Sequence, residues 1–136
     1  MDDDVTYAWR DPISDHEMVD LVEAHGGRPE AGWWDRVAPR SLGLVSARTD
    51  DGLLVGFVNV AWDGADHAIL LDTKTRSDWQ HRGVGTELVR RAAGHAREAG
   101  CEWLHVDFRR ELAAFYFDAC GFRPTDAGVI HLATPE

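Results

Sequence analysis

Apolar residues change their period several times along the chain, and each change marks an element. Val5–Arg10 sets β-branched and aromatic residues at alternating positions and is followed by Pro12, the pattern of an opening strand. Ser14-Asp15-His16-Glu17 then forms a capping box, and Met18, Leu21 and Val22 recur at helical spacing until Gly26-Gly27 stops the helix. Between Gly27 and Ser41 the pattern is mixed. Trp33 and Trp34, adjacent in a short helix, cannot share one face, so at least one lines a surface or cleft. Leu42–Thr49, Leu53–Trp62 and Ala68–Thr75 read as strands joined by turns at Asp50-Asp51-Gly52 and Asp63-Gly64, an antiparallel meander.

After Thr75 the period becomes helical. Val84, Leu88, Val89, Ala92, Ala93 and Ala96 form an apolar stripe that Gly100 ends. Trp103–Phe108 reads as a strand, Glu111–Cys120 as a helix closed by Gly121, and Val129–Leu132 as a last short strand. A strand, a long helix and a second strand make a right-handed crossover, so Ala68–Thr75 and Trp103–Phe108 should run parallel in an otherwise antiparallel sheet. The expected fold is one mixed α/β (α+β) domain over residues 1–136, with helices on both faces of the sheet.

Composition changes this picture little. The 136 residues are 44% hydrophobic and 28% charged, as in ordinary folded domains. No apolar run nears the roughly 18 residues of a membrane span, and the acidic start Met1-Asp2-Asp3-Asp4 is unlike a secretory signal, so a cytoplasmic protein is expected. Cys101 and Cys120 read as small buried hydrophobes, and no Cys-x-x-Cys or His-Glu-x-x-His spacing supports a metal site. A net charge of −10 argues against nucleic acid or anionic membrane as a partner. All of that excess lies in Met1–Asp72, with 15 acids and 5 bases, against 9 of each in Thr73–Glu136. The acidic half either serves solubility or builds an approach for a cationic ligand.

The most specific local feature is Gln80-His81-Arg82-Gly83-Val84-Gly85, placed after a strand and opening the long helix. Glycines let backbone amides come close to a ligand, and first-turn amides at the positive end of a helix suit an anionic phosphate. It is neither a Walker loop nor a dinucleotide fingerprint, since no Gly-Lys-Ser/Thr follows and the Gly-x-Gly-x-x-Gly spacing is lacking.

This turn matches in full the Gln/Arg-x-x-Gly-x-Gly/Ala signature of the GNAT superfamily of acyl-CoA-dependent N-acetyltransferases, which the chain resembles. Asp72-Thr73-Lys74-Thr75 with Asp78-Trp79-Gln80 is similar to the family's approach to the turn, and Phe115-Tyr116 with Cys120-Gly121-Phe122 to its closing helix. The resemblance is close over Ala68–Phe122 and lies only in element order before that. It implies acetyl-CoA as co-substrate, its diphosphate on the amides of Gln80, His81, Arg82, Gly83, Val84, Gly85 and Thr86. It also implies a pantetheine arm pairing with backbone at Thr73, Lys74 and Thr75, where two parallel central strands splay.

The resemblance further implies a Tyr four residues before the Gly of Gly-Phe, to protonate the departing thiolate. That position is Phe117 here, with Tyr116 one residue earlier, so either the helix end is reset by one residue and Tyr116 acts, or solvent does. The Asn that often opens this helix in the family is Arg110. Ile69 and Leu71 stand where some relatives carry a catalytic Glu. Strict alternation points Asp72 to the opposite face from them, while His105 and Asp107 share one face of the next strand, where either could carry a proton through water. Trp33, Trp34 and Trp62, with acids of the first half, either suit an amine through cation–π and carboxylate contacts or are core aromatics; the candidate acceptor contacts are Trp33, Trp34, Asp72 and His105. His16, His25, His67, His95 and His131 have no ligand-like spacing and are assigned no role.

The function expected is transfer of acetyl from acetyl-CoA to a primary amine by direct attack, in a homodimer without metal, nucleic acid or membrane partner. A small cationic or amino-acid-like acceptor suits the acidic half; a protein lysine or N-terminus is the alternative within the fold. Outside enzymes, a non-catalytic CoA-binding module, sensing or sequestering a ligand, accounts for Leu71 and Phe117. A purely structural dimer unit leaves the Gln80–Gly85 turn unexplained.

Overall fold

A computed structural model describes residues 4–133. Its sheet has five strands in chain order, β1 (Val5–Trp9), β2 (Ser41–Thr49), β3 (Leu54–Trp62), β4 (His67–Thr75) and β5 (Trp103–Val106). Neighbours are antiparallel except β4 and β5, which run parallel at one edge. Between β1 and β2 lie α1 (Asp15–His25) and α2 (Trp33–Val37), and the crossover from β4 to β5 is α3 (Val84–Glu98).

Helices cover both faces of the sheet, a different set on each, but on the α1 side Ile69, Leu71 and Trp103 of β4 and β5 stay exposed. The α3 stripe Val84, Leu88, Val89, Ala92 and Ala96 packs on Val45, Val55, Val58, Val60 and Leu70. On the other face, Met18 and Leu21 of α1 and Trp34 of α2 pack on Leu44, Leu54 and Phe57. Gly56 lets α3 approach: a Cβ there would stand 3.0 Å from both Leu88 Cδ1 and Val84 Cγ1.

The capping box of α1 forms as the sequence predicts, with Glu17 N donating to Ser14 Oγ at 3.1 Å and Ser14 N to Glu17 Oε1 at 3.1 Å. Glu17 also binds Arg48 of β2 at 2.5 Å, and Arg48 Nε reaches Asp11 Oδ2 at 2.7 Å. A half-buried guanidinium thus ties the start of α1 to the sheet.

Five expectations need correction. Arg10 lies beyond β1 with a left-handed φ of 58°, and β5 stops at Val106 rather than at Phe108. Glu111–Cys120 is not one α-helix but a 3-10 turn, Arg110–Leu112, followed by a π-helix, Ala114–Ala119. The wider π turn lets Phe115 lie against Gly85 while Tyr116 stacks on Phe108 at 4.8 Å. Val129–Leu132 forms no strand, because strand preference without a neighbouring strand to pair with does not order a segment. Cys101 and Cys120 are only partly buried.

The Glu17 carboxyl is held at about 2, well below the ordinary 4.5, chiefly by its hydrogen bond to Arg48. A depressed carboxyl gives stability that is complete above its unfolded value and lost as pH falls through the folded one. Arg48→Met should therefore cost about 2 kcal/mol in urea unfolding at neutral pH. The difference from the native chain should shrink as pH falls from 4.5 toward 2. An unchanged difference across that range would remove Glu17 as its source.

Candidate active site

The site begins where β4 parts from β5. Their ladder ends at Leu70 opposite Val106, while β4 runs on to Thr75, leaving that length of its edge without a strand neighbour. The departure is caused by a bulge. Phe57 faces Lys74 and Asn59 faces Leu71, so Asp72 and Thr73 oppose Val58 alone, and Asp72 takes a left-handed φ of 61°. The bulge turns Asp72 to the α1 side of the sheet, the side of Ile69 and Leu71, instead of the opposite one that alternation predicts.

Side chains pin the end of β4. The Thr75 carbonyl accepts from Gln80 Nε2 at 3.3 Å and from His25 Nδ1 at 2.9 Å. Arg76 donates through Nε to the Leu54 carbonyl at 2.7 Å and pairs with Asp20 of α1. With its carbonyl doubly engaged, Thr75 presents little to a ligand, and the accessible backbone is that of Thr73 and Lys74. His25 is a contact that no sequence spacing signalled.

The turn then uses two left-handed residues, His81 (φ 64°) and Gly83 (φ 86°), to reverse into α3. No side chain caps that helix, so the amides of Val84, Gly85 and Thr86 sit at its positive end ahead of the first intrahelical bond, from Glu87 N to the Gly83 carbonyl at 3.1 Å. The space a Cβ would take at Gly83 is open to 4 Å. Arg82 lies over the Trp79 ring, 4.6 Å from its centre. The arrangement offers donors and positive potential to an anion, beside a bare strand edge that can pair with an amide-bearing chain.

Tyr116 reaches the same gap. It is 6% exposed, and its hydroxyl donates to Thr73 Oγ1 at 3.4 Å. The π-helix makes this possible: its hydrogen bonds span five residues, as from Cys120 N to the Phe115 carbonyl, so a residue five before Gly121 takes the place of one four before it in an α-helix. Burial pushes the phenol above its ordinary 10.0, partly offset by the Thr73 hydrogen bond. Phe117, at the family's usual position, packs edge-on against Phe108 at 5.2 Å.

Across the sheet from α3 lies a hollow of about 210 Å³. Its walls are Met18 and Val22 of α1, Arg28, Glu30 and Trp33 after it, and Asp72 and Lys74 of the bulged strand. Trp33 and Asp72 were expected contacts; Arg28 and Glu30 had no motif to mark them. Trp34 is instead core, 5% exposed and edge-on to Phe57 at 5.1 Å. His105 is exposed and bonded to His67, with Nδ1 of His67 2.8 Å from Nε2 of His105, and Asp107 is exposed beyond the end of β5. Neither borders the hollow. Among the described residues, no group of three or more His, Cys, Asp or Glu could hold a metal, and no helix is long and apolar enough to cross a membrane.

Comparison with known proteins agrees with this architecture. Residues 7–122 match the acetyltransferase (GNAT) family. The chain is 29% identical over 130 residues to the mycothiol acetyltransferase of Thermobifida fusca, covering 94% of this chain and 34% of that protein. It therefore spans about a third of that relative's length. A GNAT-family acetyltransferase from Streptococcus pneumoniae superposes with a TM-score of 0.76 at 19% identity, covering 93% of this chain and 98% of the other. The aminoglycoside acetyltransferase AAC(6')-Iy, solved with a CoA-containing bisubstrate analogue, gives 0.74 at 16% identity, covering 94% and 97%. At such identities these structures speak for the fold, and with the family match over most of its length the chain is a member of the GNAT acetyltransferase family.

Proposed function

We propose that the protein binds acetyl-CoA between the start of α3 and the free edge of β4 and moves its acetyl group to a primary amine. The observation that carries this reading is Tyr116: a π turn delivers its phenol to Thr73, at the gap beside the uncapped helix. The residues present fit the co-substrate. Val84, Gly85 and Thr86 amides with Arg82 suit a diphosphate, aided by the turn residues Gln80, His81 and Gly83. Thr73 and Lys74 offer backbone to a pantetheine chain, with Thr75 anchoring the strand end.

In the reaction the amine nitrogen bonds to the thioester carbon, the carbon–sulfur bond breaks, and the amine gives up a proton while the thiolate gains one. Tyr116 donates a hydrogen bond toward the sulfur as charge builds there, and the proton that the thiolate gains comes from water. Asp107 and His105 are exposed and take the amine's proton only through water. The hollow mixes signs: Asp72 and Glu30 suit an ammonium, Arg28 and Lys74 a carboxylate, and Trp33 gives an aromatic wall. That pattern favours an amino-acid-like acceptor over a simple polyamine. The reading extends to a homodimer in the cytoplasm, where the free Cys101 and Cys120 fit a reducing compartment. A CoA-binding module without catalysis is the second reading, favoured by the exposed Ile69 and Leu71 where some relatives place a Glu.

Titration calorimetry with acetyl-CoA, followed by thiol release with a panel of amines, tests both; binding with no release from any amine would favour the module. Gly83→Glu should raise the CoA dissociation constant by at least about tenfold, since it adds strain at positive φ and negative charge at the helix start. Gly83→Ala, which adds the strain alone, should do less. Equal effects would remove the anion from the argument.

Tyr116→Phe should lower kcat by about a hundredfold while leaving CoA affinity within about twofold. Because burial raises the phenol, the alkaline fall in rate that it controls should lie above pH 10.0 and vanish in the variant. An unchanged rate would return Tyr116 to packing. Asp72→Asn should raise KM for the amine with little change in KM for acetyl-CoA, read from steady-state kinetics; equal changes in both would show a general loss of the strand's shape.

A further inference from the structure

On the α1 side of the sheet the helices stop short of its last two strands. Met18 and Leu21 of α1 and Trp34 of α2 settle on Leu44, Leu54 and Phe57, and leave Ile69, Leu71 and Trp103 39%, 41% and 46% exposed. Alternation puts these three on one face with His67 and His105, because Ala68, Leu70, Leu104 and Val106 pack toward α3. The register brings them together: Ile69 stands opposite His105 and His67 opposite Trp103. Leu71 follows Ile69 at one pleat repeat, about 7 Å. Exposed apolar residues scattered singly need no explanation, but adjoining ones on a strand face mark a binding surface. No Asp, Glu, Arg or Lys is among the strand residues that share this face ahead of Asp72.

This surface runs into the acceptor hollow, and the bulge is the reason. In an unbroken strand Leu71 and Asp72 would point to opposite faces; here both lie on the α1 side, an exposed leucine next to a carboxylate. Asp72 is a wall of the hollow together with Lys74 and Arg28. The far end of the surface is bordered by the imidazoles of His67 and His105, bonded to each other at 2.8 Å with ring centres 5.0 Å apart. Groups of both signs therefore stand at one end, an aliphatic strip lies beside them, and the strip ends on two rings that already use a nitrogen on each other.

We infer that the acceptor is a free amino acid with a large apolar side chain, such as leucine or phenylalanine. Its amino group is held by Asp72, its carboxylate by Lys74 and Arg28, and its side chain lies across Leu71 and Ile69. The inference rests on the acetyl transfer proposed above and names the substrate class of that site. The step is the same: the α-amino nitrogen bonds to the acetyl carbon, the carbon–sulfur bond breaks, the nitrogen gives up one proton and the departing sulfur gains one from water. Glycine or alanine makes the charged contacts but leaves the strip in water. A polyamine lays a second charge on the strip, where no carboxylate balances it. A peptide N-terminus lacks the carboxylate and leaves Lys74 and Arg28 unpaired beside the bound end.

Steady-state kinetics of the full chain with acetyl-CoA should give phenylalanine a kcat/KM at least about tenfold above that of alanine, since the side chain is covered on one face. Phenylalanine should also exceed spermidine and the dipeptide phenylalanyl-glycine. Leu71→Gln should lower the phenylalanine-to-alanine ratio at least about fivefold with the circular dichroism unchanged. Leu53→Gln, at a residue 42% exposed before β3, should leave that ratio as it is. Calorimetry of each amino acid into the CoA-saturated protein reads the same preference without chemistry. Transfer to amines with no preference for apolar amino acids would overturn this inference and leave acetyl transfer standing. So would a preference that Leu71→Gln does not reduce; if that variant instead changes the sedimentation coefficient, the surface belongs to a second copy. A higher rate with the dipeptide would give the site to peptide N-termini and overturn the free amino acid. Phenylalanine bound in preference to alanine but never acetylated would support the surface and overturn the transfer reading, and no preference in either assay would overturn the inference.

Discussion

Backbone hydrogen bonding at the end of β4 is the constraint on which the rest of the site depends. Strands β4 and β5 are paired only from His67–Trp103 to Leu70–Val106, after which β4 must run on without that neighbour. A buried strand edge cannot leave its amides and carbonyls without partners. The molecule meets the requirement unevenly: the Thr75 carbonyl is taken by His25 and Gln80, and Arg76 bonds back to Leu54 and Val55. Thr73 and Lys74 are left facing the gap, so the bulge at Asp72 separates a sealed strand end from an accessible stretch just before it.

Electrostatics at the start of α3 follow the same economy. Glu87 in the first turn favours the helix but would oppose an anion bound at its amides. Arg90 and Arg91, one turn on, bind it at 2.5 and 2.6 Å, and its carboxyl is held at about 2 chiefly by Arg90. The trio therefore carries a net positive charge one turn into the helix, in a chain that is acidic overall. The negative excess of the first half lies elsewhere, and only Glu30 and Asp72 of it reach the hollow.

Much of this architecture is legible in the amino-acid sequence. The capping box placed α1, the apolar stripe placed α3, and the crossover rule made β4 and β5 parallel. What escaped was set by tertiary contacts. Nothing local distinguishes Trp33 from Trp34, and only the sheet decides that Trp34 meets Phe57 while Trp33 borders the hollow. The Asp72 bulge depends on a mismatch with β3, so alternation misplaced that side chain. His25 touches Thr75 across fifty residues of sequence, beyond the reach of any motif. Val129–Leu132 reads as a strand because its residues suit one, but a strand exists only with a neighbour.

The π turn resolves the one-residue offset of Tyr116 and also constrains what the phenol can do. Burial holds it above 10.0, whereas an ordinary thiol sits near about 8.5. Complete proton transfer from such a phenol to a free thiolate is uphill, so Tyr116 is poorly suited to act as an acid at equilibrium. It is well suited to donate a hydrogen bond to sulfur as negative charge builds in the transition state, where a poorly solvated donor interacts strongly. The Thr73 hydroxyl, at 3.4 Å, is a weak partner for the phenol and orients it without competing strongly with that role. In the proposed reaction the thiolate therefore takes its proton from water at the open end of the gap, and burial, which makes Tyr116 a weaker acid, keeps its hydrogen in place through physiological pH.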